Sequence, residues 1–245
     1  MNNNGEFNFC NWALGFAGCD GGDIGNKNEQ SIWFCGIEWG GGFGTDKDAL
    51  KEIFNKNSKI IPEGYDDWKE NISYIYNWQA MKLLSVIYNY ESKNYKNFAE
   101  NMKPFVKNQK GFFKLNLYPI AFKNTSHYLW EVNFSETTNF KTKQNYIDWI
   151  KENRFPIMNK WVKDFSPKLI ICTGITYSDD FKRAFSDNNA EFNKEKIENH
   201  DLLWCENNNG TKIVVIPFMV NRNGLTKNEN IEKFGQRIKE ILNND

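Results

Sequence analysis

Apolar positions along this chain fall into short blocks separated by polar, asparagine-rich stretches, and the spacing inside each block predicts its element. Ile32 to Ile37 is a continuous β-branched and aromatic run that stops at a single acid, Glu38, before glycines at 40, 41, 42 and 44. It is too short for a helix and ends in breakers, so it predicts a buried strand. Gly111 to Phe122 carries a second strand signal that reaches Asn116, with Pro119 preventing continuation as a central strand. Lys168 to Gly174 predicts a third buried strand, followed by a helix to about Phe185. Leu202 to Glu206 and Thr211 to Pro217 flank Asn207-Asn-Asn-Gly, which reads as a hairpin turn.

Helical spacing lies between these strands. Thr45-Asp-Lys-Asp reads as a helix start ahead of Ala49, Leu50, Ile53 and Phe54. Residues 74–90 place Ile75, Trp78, Met81, Leu84 or Ser85, and Tyr88 at helical intervals. A short helix is expected from Tyr95 to Val106, interrupted near Pro104. Further helices are expected over 144–151, over 156–163, and from Thr226 through Ile231, Phe234, Ile238 and Ile241. Residues 55–73 read as a polar connection and 123–142 as a long loop carrying His127, Tyr128 and Trp130. The Gly/Asp stretch at 18–25 reads as a tight turn or as a lid over the site behind it. Alternating strands and helices predict an α/β fold, a mainly parallel central sheet with helices on both faces.

Composition narrows the picture. A chain of 245 residues with 40% hydrophobic and 16% aromatic content can bury one sizeable core, so a single domain over 1–245 is expected. The 31 basic and 31 acidic residues cancel, which argues against a histone-like polyanion binder and leaves room for a local basic groove. No run is long enough to span a membrane, and the first residues have no leader pattern, so a cytoplasmic location is expected. The five cysteines form no Cys-x-x-Cys pair, and Cys35 and Cys172 lie in apolar runs; neither a metal centre nor any other cofactor is expected. Two histidines leave little for chemistry that depends on imidazole. The Gly40–Gly44 run lacks the Gly-Lys-[Ser/Thr] ending of a phosphate-binding loop.

Polar residues at the ends of buried strands are the candidates for function: Glu38, Asn116 and the Asn221-Arg222-Asn223-Gly224 segment. In a parallel sheet those ends converge on one edge, where ligands bind. Gly36-Ile37-Glu38-Trp39-Gly40 resembles the first motif of the uracil-DNA glycosylase superfamily, with Glu38 at the place of the water-positioning Asn or Asp. Phe112 to Phe122 resembles that family's base-reading strand, closest to the single-strand-selective monofunctional branch. Pro167 to Gly174 is similar to its third core strand. Pro217 to Asn223 falls where the family has a His-Pro-Ser-Pro-Arg-Asn loop; Arg222 and Asn223 match its end, while Phe218, Met219 and Val220 replace His-Pro-Ser. The resemblance covers residue 31 onward and leaves 1–30 as an N-terminal extension and 55–100 as a helical insertion.

The resemblance implies a three-layer α/β/α fold on a mainly parallel four-stranded sheet and a monofunctional DNA glycosylase, without metal, that hydrolyses the N-glycosidic bond of a flipped base. Positive charge develops on the sugar, and Glu38 would stabilise it and activate water. Asn116 would read the base edge, with Phe43 or Phe54 stacking on the base. Met219, Val220, Asn221, Arg222 and Asn223 would wedge into or grip DNA. Gly36, Gly40, Gly41 and Gly42 would admit the sugar or phosphate. Lys103, Lys107, Lys110 and Lys114, just ahead of and within the base-reading strand, read either as a solvated face or as a grip on DNA phosphates. Losing the loop histidine removes a donor for the leaving base, of order 10²-fold in rate, and Trp39 in place of the turn proline points to a modified base. DNA, single-stranded or with a flipped base, is the expected partner, and the protein is expected to be a monomer. A non-catalytic nucleic-acid-binding relative and a nucleoside or nucleotide hydrolase are the alternatives.

Overall fold

A computed structural model describes residues 9–40, 42, 47–122, 130, 132–187 and 190–243. Among these residues seven strands form one sheet: β1 (Gly21–Gly22), β2 (Ile32–Gly36), β3 (Phe112–Asn116), β4 (Leu169–Thr173), β5 (Asn193–Ile197), β6 (His200–Glu206) and β7 (Lys212–Ile216), in the order β1-β3-β2-β4-β7-β6-β5. The pairs β3–β2, β2–β4 and β4–β7 are parallel, and every residue of those four strands is buried. That is why they read as unbroken apolar runs: a strand covered on both faces has no polar side to alternate with. β1 and the β5–β6 hairpin add antiparallel edges, so the sheet is wider than the four strands expected. β5 (Asn-Lys-Glu-Lys-Ile) is polar and half exposed, and its pairing with β6 makes it a strand.

Ten α-helices connect and cover the strands: α1 (Phe9–Ala13), α2 (Lys47–Phe54), α3 (Trp68–Asn71), α4 (Ile75–Ile87), α5 (Tyr95–Met102), α6 (Val132–Thr138), α7 (Lys143–Trp149), α8 (Phe155–Phe165), α9 (Ser178–Phe185) and α10 (Asn228–Asn243) among the described residues. Alternate residues of β2 feed two cores. Ile32 and Phe34 pack with Met81, Leu84, Phe234 and Ile238 on the α4/α10 face, while Trp33 and Cys35 pack with Phe155, Val162 and Phe181 on the α8/α9 face.

Several helices differ from their expected form. α4 buries Asn77, Ala80, Met81, Leu84 and Ile87, while Ile75, expected on the apolar face, stands 52% exposed. α6 lies inside the stretch expected to be loop; Phe134 packs against Phe122 and Trp130, each at 5.3 Å, and that contact rather than helical propensity holds it. α7 and α8 are joined through a π-helical turn, Ile150–Arg154. Pro156, where the second of these helices was expected to begin, sits in the first turn of α8, where its missing N–H costs nothing. α3 arises in the supposed connection because Asp67 caps it, accepting from Lys69 N and Glu70 N.

One buried cation fastens the N-terminal segment to the sheet. Arg154 is fully buried and donates to the carbonyls of Leu117 (3.1 Å), Gly15 (2.9 Å), Ala17 (2.6 Å) and Ala13. Leu117 directly follows β3, so residues 13–20 are drawn to the end of that strand.

Candidate functional site

The parallel strands β3, β2, β4 and β7 end together at Asn116, Gly36, Thr173 and Ile216. The chain leaves β2 for β3 on one side and returns to β4 on the other. The switch in direction beside β2 opens a crevice at its carboxyl end. Beyond β2 the backbone stays pinned by Leu117 N to Gly36 O (3.1 Å) and Tyr118 N to Ile37 O (2.9 Å). Gly174, at φ +128°, permits a close approach on the other side: a Cβ there would lie 2.7 Å from Ile37 Cδ1. Glu38 is held between these two contacts.

The Glu38 side chain is only 8% exposed. Oε2 lies 3.8 Å from Lys143 Nζ, and Oε1 is buried without a hydrogen-bond partner among the described residues. Burial pushes the carboxyl up to about 7, and the Lys143 cation offsets part of that rise. Lys143 is itself buried, which lowers its pKa, and its ammonium sits 3.7 Å from the Phe122 ring centre. Near neutral pH, Glu38 is therefore a carboxyl poised between acid and base.

Glu38 forms part of two crevices, of about 600 and 540 Å³, which also share Trp39, Gly40 and Phe218. The first lies on the α4 side and is lined by Asp20, Tyr65, Tyr76, Asn77, Lys114 and Asn116. Asp20 organises that wall. It accepts from Tyr65 OH (2.7 Å) and Trp39 Nε1 (3.0 Å) and pairs with Lys114 Nζ at 3.1 Å. Tyr65 OH in turn accepts from Asn77 Nδ2 at 2.9 Å. Asn116 donates to Gly18 O at 3.0 Å, and its Oδ1 lies over Gly36, where a Cβ would come within 2.3 Å. The second crevice is lined by Phe122, Gly174, Tyr177, Asn221, Asn223 and Gly224.

Of the residues expected at the site, Glu38, Asn116, Gly36, Gly40, Gly42 and Val220 line the first crevice, and Asn221 and Asn223 line the second. Arg222 is exposed and lines neither. Met219, expected as a wedge, is fully buried in the α4/α10 core. Phe54, expected to stack on a base, is buried 5.2 Å from Phe9 and 4.9 Å from Trp12, because α2 turns its apolar face inward. Phe43, Gly41 and His127 lie outside the described residues. Three of the lysines expected to grip phosphates have acidic partners instead: Lys107 pairs with Glu63, Lys110 with Glu29 and Lys114 with Asp20.

Lys143 and Tyr65 were not legible as site residues, and Asp20 was legible only as part of a stretch read as a turn or a lid. Asp20 and Tyr65 line the first crevice, and Lys143 meets Glu38 behind it. Lys143 left one signal: a cation in the first turn of a helix opposes the dipole, so something else must hold it there. Lys114 left another, as a charged residue in the middle of a buried strand.

Cys35 and Cys172 are buried, and burial pushes both thiols well above their ordinary range. Among the described residues, no three His, Cys, Asp or Glu side chains gather as a metal site, and no helix is long and apolar enough to cross a membrane. No protein-family model and no curated protein matches the chain.

Proposed function

We propose that this chain is a DNA glycosylase-like hydrolase that cleaves the N-glycosidic bond of a base held in the crevice, with Glu38 as its general base. The reading takes β3-β2-β4-β7, with helices on both faces, as a four-stranded three-layer core of the uracil-DNA glycosylase type. The observation that carries it is Glu38 itself: a buried carboxyl with an unpaired oxygen, at the end of the strand beside the switch point, facing two crevices. Charges are rarely buried this way without use. In the reaction, a water oxygen bonds to the anomeric carbon as the carbon–nitrogen bond breaks. Glu38 takes the water proton and offsets the positive charge on the sugar. The bonding electrons leave with the base, which is then protonated from solvent.

Release of free base from single- and double-stranded oligonucleotides tests the reading. Glu38→Gln is expected to lower the rate by 10²-fold or more while oligonucleotide binding remains. An unchanged rate in Glu38→Gln would rule out this mechanism. The pairing of Lys107, Lys110 and Lys114 with acids favours a second reading, a hydrolase of free nucleosides, for which oligonucleotide affinity would be weak and insensitive to salt.

A further inference from the structure

The polar groups of the first crevice are unevenly used. Its buried side-chain donors are committed within the protein, and acceptors are left over. Tyr65 OH and Trp39 Nε1 donate to Asp20, and Asn77 Nδ2 donates to Tyr65 OH and Asn71 O. The Thr173 hydroxyl turns to Cys35 O at 3.4 Å, so Tyr76 OH donates to Thr173 at 2.6 Å. Lys114 is 7% exposed and spends its ammonium on Asp20, on Tyr65 OH (3.3 Å) and against the rings of Tyr65 and Tyr76. On the acceptor side, the Gly18 carbonyl claims the Asn116 amide nitrogen and fixes which way the amide faces. Asn116 Oδ1 is thereby turned over Gly36, and no donor in the described protein reaches it. A carboxylate has about four lone-pair sites; Asp20 uses one on Oδ1 and two on Oδ2, and its side chain is 14% exposed at the crevice wall.

We infer that the first crevice reads the donor edge of an amino-bearing base, of the cytosine or adenine type, through Asn116 Oδ1 and the Asp20 carboxylate. This rests on the proposal that the crevice holds a nucleobase. An exocyclic amino group supplies the N–H that these oxygens lack, as when carboxylates accept from cytosine and amides from adenine. Uracil has a carbonyl oxygen, O4, where cytosine carries its amino group; its N3–H can satisfy one of these oxygens, while O4 would face another acceptor and leave that pair unmatched. The Asp20–Lys114 pair has no net charge, so it suits a neutral base edge better than a phosphate. Tyr65, Tyr74, Tyr76 and Phe218 give the same crevice aromatic faces for the ring.

The test measures equilibrium binding of thymine-run pentanucleotides that differ only in a central cytosine, adenine or uracil. Glu38→Gln protein is used so that nothing turns over. Cytosine or adenine is expected to bind at least tenfold tighter than uracil. That preference should fall to within about twofold in Asp20→Asn, with Tyr65→Phe as the gentler variant that loosens Asp20 without removing its charge. The inference is overturned if uracil binds equally or better, if no pentanucleotide binds, or if the preference survives in both variants. Base release by the parent protein separates the two ideas. An amino preference without release of any base leaves the crevice assignment standing and removes the hydrolase reading. Release of uracil in preference to cytosine and adenine does the reverse.

Discussion

Glu38 holds its proton to a higher pH in the folded chain than in the unfolded one, about 7 against an ordinary 4.5. Between those values the unfolded state releases the proton first, so stability falls as pH rises through the window and stays reduced above it. At about 1.4 kcal/mol per unit, the carboxylate costs at most about 3.5 kcal/mol at pH 8. Glu38→Gln should therefore be more stable than the parent at pH 8, with the gap closing toward pH 4.5. Urea midpoints at the two pH values check this, and a gap independent of pH would contradict it. The same proton sets the activity profile. If Glu38 acts as a base, kcat/KM should climb about tenfold per unit below pH 7 and level off above. Lys143→Met removes the cation that favours the charged form, so it should move the inflection upward; a downward move or none would show that Lys143 does not act on Glu38. Gly36 carries a third expectation at this scale. A methyl there would meet Asn116 Oδ1 at 2.3 Å and Tyr76 OH at 3.3 Å. Gly36→Ala should cost about 1–3 kcal/mol and swing Asn116 out of place. Unchanged stability together with unchanged base preference would count against the Asn116 assignment.

The N-terminal segment and the π turn between α7 and α8 depend on each other through Arg154. The guanidinium has lost water and gained four carbonyls, with no carboxylate paired to it among the described residues, and burial lowers its pKa. Arg154→Met leaves those carbonyls unsatisfied, and a loss of about 3–5 kcal/mol is expected. Arg154→Lys should recover little, because an ammonium cannot reach acceptors spread around a planar fork. Denaturant midpoints decide this; a loss below about 1 kcal/mol for Arg154→Met would make the clamp incidental. The elements that the sequence made legible are those whose cause is local. β2, β3, β4 and β7 are apolar runs between breakers, and α10 shows its inward face as Ile231, Phe234, Ile238 and Ile241. β5 and α6 are held by contacts with neighbouring segments, a partner strand for one and Phe122 with Trp130 for the other, and nothing in their own composition announces them. The site divides in the same way. Glu38 and Asn116 stand out as polar residues ending buried strands, whereas Asp20 arrives through the Arg154 clamp and Lys143 through a helix more than a hundred residues away.

At the scale of the whole molecule, the balance of charge bears on how a polyanion could be held. The chain has as many acids as bases, and near the crevice the bases are already committed. Lys114 faces Asp20, Lys143 faces Glu38, and Lys107 and Lys110 face surface acids. Arg222, exposed on the loop after β7, is the cation of the crevice loops for which the described residues show no acidic partner. Single-stranded nucleic acid bound here would release few counterions, because affinity falls with salt by about 0.7 log units per log unit for each phosphate neutralised. One or two phosphates should then be engaged, and affinity should come mainly from base contacts in the crevice. Titrating a pentanucleotide between 50 and 300 mM salt should give a slope shallower than about −1.5, and Arg222→Ala should bring it closer to zero without changing base preference. A slope steeper than about −3 would mean that the surface ion pairs open on binding and that phosphate capture, rather than the crevice, governs affinity.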